Sequence, residues 1–283
     1  MRDDQPQILT INAGRASFSF RMRELWQYRD LVLLLAKKTF IIRYKQTVLG
    51  VFWAFLRPLI TACILTVTFS RIVGIDTGGV PGLLFYLCGN SLWSFFAEAL
   101  RSNANTFTAN VHLFGKVYFP RLAVPISNLL VSVLTFGIQM LLLLAFLLVY
   151  LLRGEVTPVY TGWLLLPFLV LQLGILGMSV GVVVSSLTTR YRDLAMLVDF
   201  LVQLWMYLSP VLYPVSFVGS PALRKLLYLN PVTMPMEGFR RFFLGQGSSN
   251  PMAWAWSLGV TLLLAFLAQR LFFRIESDFM DTV

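Results

Sequence analysis

An all-α integral membrane protein is the fold class this sequence predicts, and three observations predict it. Of the 283 residues, 57% are hydrophobic and only 13% charged, where a soluble domain carries roughly 25% charge. Six stretches, near 51–73, 83–105, 124–152, 163–187, 195–213 and 252–273, hold the ~20 mostly apolar residues that a bilayer crossing requires. These runs do not alternate: LLLLAFLLVYLL at 141–152 has no period of two, unlike the segments of about ten residues that build a membrane β-barrel. Helices are then what satisfies the backbone in lipid.

Residues 1–20, MRDDQPQILTINAGRASFSF, lack the apolar core of a cleavable signal and are expected as a cytoplasmic segment. In 21–45, RMRELWQYRDLVLLLAKKTFIIRYK, Leu25, Tyr28, Val32 and Leu35 recur at three- and four-residue steps. Arg23, Gln27, Asp30, Lys37 and Lys38 gather on the opposite side, with Leu31 and Leu34 interrupting them. The pattern predicts an amphipathic helix in the inner interface. Arg29, Asp30, Lys37 and Lys38 leave too short an apolar run for a seventh span.

In span 1, Arg57 is placed to snorkel and Pro58 to kink the helix or end its first segment. Span 2 carries Glu98, with Arg101 three residues on as a partner. The inner segment 106–123 follows. Its end, FGKVYFPRLAVP at 114–125, is basic, aromatic and broken by Pro120 and Pro125; by composition alone it is a short interfacial loop. Gly174, Gly177 and Gly181 give span 4 a small-residue face that a second helix can approach closely. Asp199 in span 5 is a functional candidate because a carboxylate at membrane depth is costly. Less than two turns from the inner boundary, it also reaches the interface or a basic neighbour. The outer stretch 214–251 holds five prolines yet is apolar in LRKLLYLNP and EGFRRFFLG. Short re-entrant helices fit it, with a small outer cap as the alternative. Residues 274–283 form a tail.

Aromatic residues make up 14% of the chain. Tyr150, Trp163, Tyr213, Trp254 and Trp256 fall near outer span ends, as an anchoring belt does. Trp53, Phe69, Tyr86, Trp93, Phe96, Trp205 and Tyr207 lie deeper. They either pack between helices or line a conduit, where their faces would stack on the C–H faces of sugars.

With the N-terminus inside, ten Lys/Arg of residues 1–57 fall on the inner side, together with Arg101, Lys116, Arg121, Arg190, Arg192, Arg270 and Arg274. Only Arg71, Arg153, Arg224, Lys225, Arg240 and Arg241 fall outside, which accounts for all 23. This asymmetry predicts six spans with both ends cytoplasmic. The net charge of +10 then calls for anionic headgroups or an anionic partner surface rather than nucleic acid. No phosphate-binding loop GxxxxGK[ST], no HExxH and no CxxC occurs, so nothing recommends an enzyme. His112 is expected at the surface, and Cys63 and Cys88 as small apolar fillers inside spans.

Together these segments resemble a family. YKQTVLGVFWAFLRPL at 44–59 is similar to the start of span 1 in ABC-2-type polysaccharide export permeases, through Tyr44, Lys45, Leu49, Gly50, Trp53, Pro58 and Leu59. GKVYFPRLAVP at 115–125 resembles that family's segment between spans 2 and 3, RYRDL at 190–194 its inner turn, and YLNPVTMPMEGFRRFFLG at 228–245 its outer Asn-Pro segment. The O-antigen exporters are nearest; capsule and wall-teichoic-acid permeases are cousins. The resemblance implies a homodimer above two ATPase subunits in a bacterial inner membrane, moving a lipid-linked polysaccharide. ATP and Mg would sit on the partner, and this chain would carry no cofactor and no catalytic residue. It further implies an ATPase-coupling set of Phe114, Lys116, Tyr118, Phe119, Pro120, Arg121, Arg190 and Arg192. The basic residues Arg29, Lys37, Lys38, Arg43 and Lys45 of the interface helix would receive the lipid pyrophosphate. A drug or lipid exporter of the same fold, a secondary transporter and a membrane glycosyltransferase are the rival readings.

Overall fold

The protein is described from a computed structural model over residues 25–45, 47–110, 119–188 and 193–280, with 195 and 275–280 described by backbone alone. Residues 1–24, His112, Phe114, Lys116, Tyr118, Arg190 and Arg192 lie outside this set. Helix α1 spans Arg29–Tyr44. A 3-10 turn at Gly50–Phe52 leads into α2, Trp53–Leu65, which widens into a π-helical stretch at Thr66–Ile72. Then come α3 (Gly82–Ala104), the single turn α4 (Thr106–Ala109) and α5 (Ala123–Leu152). A 3-10 turn at Tyr160–Leu165 opens α6 (Leu166–Thr188). The chain closes with α7 (Asp193–Tyr207), α8 (Pro221–Leu229), α9 (Thr233–Leu244) and α10 (Pro251–Met280). No strand occurs among the described residues.

Among the described residues, five helical stretches are long and apolar enough to cross a membrane: Gly50–Ile72, Gly82–Ala104, Ala123–Leu152, Tyr160–Thr188 and Pro251–Arg274. The stretch expected as the fifth span, 195–213, differs. Helix α7 has 15 residues, about 22 Å at 1.5 Å per residue, against a hydrocarbon core of ~30 Å. It stops ahead of Pro210, which lacks an N–H and clashes with the preceding turn. Pro58, by contrast, does not end its helix: α2 runs through it to Leu65. The irregularity comes at Thr66, whose Oγ1 donates to the Ala62 carbonyl at 2.6 Å.

Helix α3 sits at the centre. Its apolar window is 83% buried, against 17% for the Gly50–Ile72 stretch, 28% for α5 and 22% for α10. The small face of α6 makes this possible. A Cβ at Gly177 would lie 2.7 Å from the Phe96 carbonyl oxygen, and one at Gly174 2.9 Å from Phe95 Cζ. The two helices therefore approach backbone to side chain, as the glycine spacing predicts. A second cluster, on the α1 side, joins Val32 to Phe119, Ala123 and Val124, with Leu25, Tyr28, Leu31 and Leu35 against it. The amphipathic stripe of α1 thus lies on the start of α5. A third cluster stacks Phe107 on Phe272 at 5.0 Å and ties α4 to α6 and α10.

The apolar character of 214–251 is explained by α8 and α9. Met234, Met236, Phe239, Phe243 and Leu244 of α9 are buried. The expected aromatic belt turns toward these helices. Trp163 Nε1 donates to the Phe242 carbonyl and Trp256 Nε1 to the Leu229 carbonyl, both at 3.0 Å.

Gly177→Val places two methyl groups against the Phe96 carbonyl. Overpacking of this kind costs about 1–3 kcal/mol, so the thermal midpoint of the detergent-purified chain should fall by several degrees. The same change at Gly137, where a Cβ meets nothing within 4 Å, should leave it within a degree or two; equal midpoints for the two variants would contradict the close approach.

Candidate functional site

Three features stand where a transport site is expected: a cleft, a row of ion pairs and a buried outer junction. The cleft, of about 590 Å³, opens between the last turn of α1, α2, α3 and α5. Trp53 and Trp93 give it aromatic faces, Asn90, Ser94, Ser132, Thr135 and Gln139 amides and hydroxyls, and Arg43, Arg57 and Arg101 positive charge. Gln139 is buried, and its Oε1 has no hydrogen-bond donor. Arg57 lies over the Trp53 ring, 5.7 Å from its centroid. Such a lining suits a ligand that is both hydroxyl-rich and anionic: indole faces take C–H faces, amides take hydroxyls and guanidinium groups take phosphate.

At the cleft floor the expected Glu98–Arg101 pairing is replaced by two pairs that cross between helices. Arg43 of α1 donates to Glu98 of α3. Arg101 Nε, also on α3, lies 2.7 Å from Asp199 Oδ1 on α7, an ion pair without the geometry of a hydrogen bond. The reading that Asp199 pairs with a basic neighbour holds, but the neighbour is on span 2 rather than at the inner turn. Both pairs are substantially exposed in the single chain, and pairs of this kind contribute about 0–1 kcal/mol.

The outer junction is of another kind. Arg240 and Glu237 of α9 are both about 1% exposed. Arg240 Nη1 donates to the Pro210 carbonyl and, at 3.4 Å, to Glu237 Oε1. Its Nη2 donates to the Val211 carbonyl at 3.0 Å. Glu237 Oε2 accepts the Ser248 N–H at 2.9 Å. The guanidinium lies over Phe85, 3.9 Å from the ring centroid, in room left by Gly89, where a Cβ would collide with Arg240 Nη2. Hydrogen bonds to charged groups are worth about 1.5–3 kcal/mol each, so this junction outweighs the inner pairs. Asn230 adds to it. It accepts from Trp205 Nε1 at 3.1 Å and donates to the Leu208 carbonyl at 3.1 Å and to Ser209 Oγ at 2.9 Å.

The residues singled out from sequence fall into distinct places. Phe119, expected as an outward anchor for a partner, is 7% exposed and packs on Val32; it fastens α1 within the chain. Arg121 is buried beside it and Pro120 is half-buried. Arg29, Lys37, Lys38 and Lys45 are exposed on α1 and its end, and only Arg43 of the basic set lines the cleft. Of the aromatics, Tyr86 and Phe96 are 0% exposed and cannot line a conduit. Phe96 packs edge-on against Trp205 at 5.1 Å, and Phe69 meets Tyr86 at 6.4 Å. Trp53 and Trp93 face the cleft, and Tyr207 is exposed. Arg240 and Glu237 escaped the sequence reading, although an acid and a base three residues apart in an apolar loop were a usable signal. Among the described residues no cluster of three His, Cys, Asp or Glu is arranged to hold a metal.

Comparison with known proteins fits this multi-pass, transporter-like arrangement. Residues 30–244 match the family described as ABC-2 type transporter, and the chain belongs to that family. It is 25% identical over 265 residues to the O-antigen export system permease protein RfbA of Myxococcus xanthus, covering 93% of this chain and 98% of that protein. Two proteins of the same name from Klebsiella pneumoniae are 27% and 26% identical, each covering 76% of this chain and 80% of its own length.

Arg240→Ala leaves Glu237 buried and uncompensated, and breaking a buried pair in this way costs about 3–5 kcal/mol. Chemical unfolding followed by tryptophan fluorescence should record that loss, and a smaller one for Glu237→Gln, which keeps an acceptor for the Ser248 N–H. A loss below about 1 kcal/mol for Arg240→Ala would show that the junction carries no such weight.

Proposed function

We infer that this chain is the membrane subunit of an ABC exporter for a lipid-linked polysaccharide of the O-antigen type, energised by ATP hydrolysis on a separate subunit. The observation that carries the reading is the similarity, over three quarters or more of the chain, to relatives named as O-antigen export permeases. The cleft supports the cargo class, since indole faces, amides and three arginines suit sugars borne on a phosphorylated lipid. No phosphate-binding loop occurs in the chain, in keeping with ATP and Mg on the partner. Two copies would pair in a bacterial inner membrane with both termini cytoplasmic, above two ATPase subunits.

Energy then arrives mechanically. The coupling segment would offer Phe114, Lys116 and Tyr118 to the ATPase and the inner turn Arg190 and Arg192, while Phe119 joins that segment to α1. A push from below would move the segment and interface helix together. The exposed Arg29, Lys37, Lys38 and Lys45 would hold anionic headgroups, and Arg43 would lead the charged head toward the cleft. The short outer helices α8 and α9 would form the outer gate.

Purified alone, the chain should hydrolyse no ATP. From its native host it should bring down a separate ATPase. Lys116→Ala with Tyr118→Ala should cut polymer export at least tenfold while membrane levels of the chain stay normal. Unchanged export and unchanged ATPase stimulation in that double variant would remove the coupling role, and sugar-transfer turnover by the pure chain would remove the exporter reading.

A further inference from the structure

We propose that α7 is a lever hinged at its outer end, and that the Arg101–Asp199 pair is the latch of its inner end, set by Arg43 of α1. The proposal rests on the gate reading above, and it follows from how unequally the two ends of α7 are fastened.

At the outer end, Trp205, Leu208 and Ser209 are bonded to Asn230, and the carbonyls of Pro210 and Val211 to Arg240. Residues 209–212 are buried throughout. At the inner end, the ion pair with Arg101 is the charged contact of α7 among the described residues, and the Asp199 side chain is 79% exposed. Apolar packing there is one-sided, with Val198 against the core. Val202 is buried, whereas Met196, Leu197, Phe200, Leu201 and Leu204 face outward. Water and lipid headgroups exchange readily for an exposed ion pair, but not for buried hydrogen bonds. A force on α7 therefore frees the inner end first and swings the helix about 209–212.

The latch is also wired to the interface helix. Glu98 and Arg101 stand three residues apart on α3, a spacing at which they pair with each other once both are free. In this structure Arg43 holds Glu98 and Asp199 holds Arg101. If α1 moves and Arg43 leaves, the released Glu98 carboxylate competes with Asp199 for Arg101. Asp199 loses its partner, and the inner end of α7 opens. Displacement of α1 is thereby converted into release of span 5 through two arginines and two carboxylates, a two-state element biased by one charge.

The test uses the full chain in native membrane vesicles, with Cys63→Ala and Cys88→Ala as background. A single cysteine replaces Val202, buried on α7 inward of the hinge, or Val211, buried at the hinge. The readout is the rate of modification by a water-soluble maleimide. Asp199→Asn should raise the rate at 202 about fivefold, the shift that loss of an exposed pair permits, and leave the rate at 211 unchanged. Exchanging the charges, Arg101→Asp with Asp199→Arg, should restore the parent rate. Arg43→Gln alone should also raise the rate at 202, and adding Glu98→Gln should reverse it, because the competing carboxylate is gone. An unchanged rate at 202 in Asp199→Asn, or an equal rise at 211, overturns the lever. Failure of Glu98→Gln to reverse Arg43→Gln overturns the link to α1. Labelling needs neither ATP nor cargo, so loss of export in the parent would fall on the functional reading and leave these outcomes standing.

Discussion

A helix surrounded by protein in a membrane must meet its neighbours with groups that lipid does not supply, and α3 is in that position. Its inner half offers Glu98 to α1 and Arg101 to α7. Its middle meets the glycine face of α6 and the Trp205 ring of α7. Its outer half leaves the gap at Gly89 that Arg240 fills. The ion pairs, the glycine packing and the Arg240 junction all touch this helix. Its apolar residues are satisfied by packing instead of by lipid, so displacement of one neighbour is felt by the others.

The junctions around α3 differ in strength, and the difference is one of solvation. Arg240 is held through its two terminal nitrogens by carbonyls and a carboxylate, and lies over an aromatic face, in a buried site, where removing a partner is costly. The pairs at the cleft floor are open to water and headgroups, where alternative partners are abundant. A protein that must stay assembled while part of it moves needs both kinds, and here they lie at opposite ends of α7. The interface helix is likewise joined to the start of α5 by apolar packing through Phe119 and Val32 and to α3 by a replaceable charge.

Much of this was legible beforehand because membrane solvation imposes simple patterns. The apolar runs mark five helices whose bounds lie close to expectation. The stripe of Leu25, Tyr28, Val32 and Leu35 marks the face of α1 that packs, and Gly174, Gly177 and Gly181 mark a close helix approach. Pro210 was an overlooked stop signal: hydropathy averaged over 195–213 hides a helix of 15 residues followed by a turn.

Sequence alone determined that the chain is helical and membrane-embedded, and which residue types could serve its chemistry, because the period of a helix and the cost of polar groups in lipid are local properties. Tertiary structure decided the partners. Whether Glu98 pairs with Arg101 or Arg43, whether Phe119 faces outward or inward, and whether Tyr86 and Phe96 line a path or fill a core depend on which helices stand side by side. Arg240 shows the reason most plainly. A guanidinium in an apolar loop has no assigned place until the bend after α7 turns two carbonyls toward it and Gly89 leaves room, and those groups come from three segments far apart in the chain.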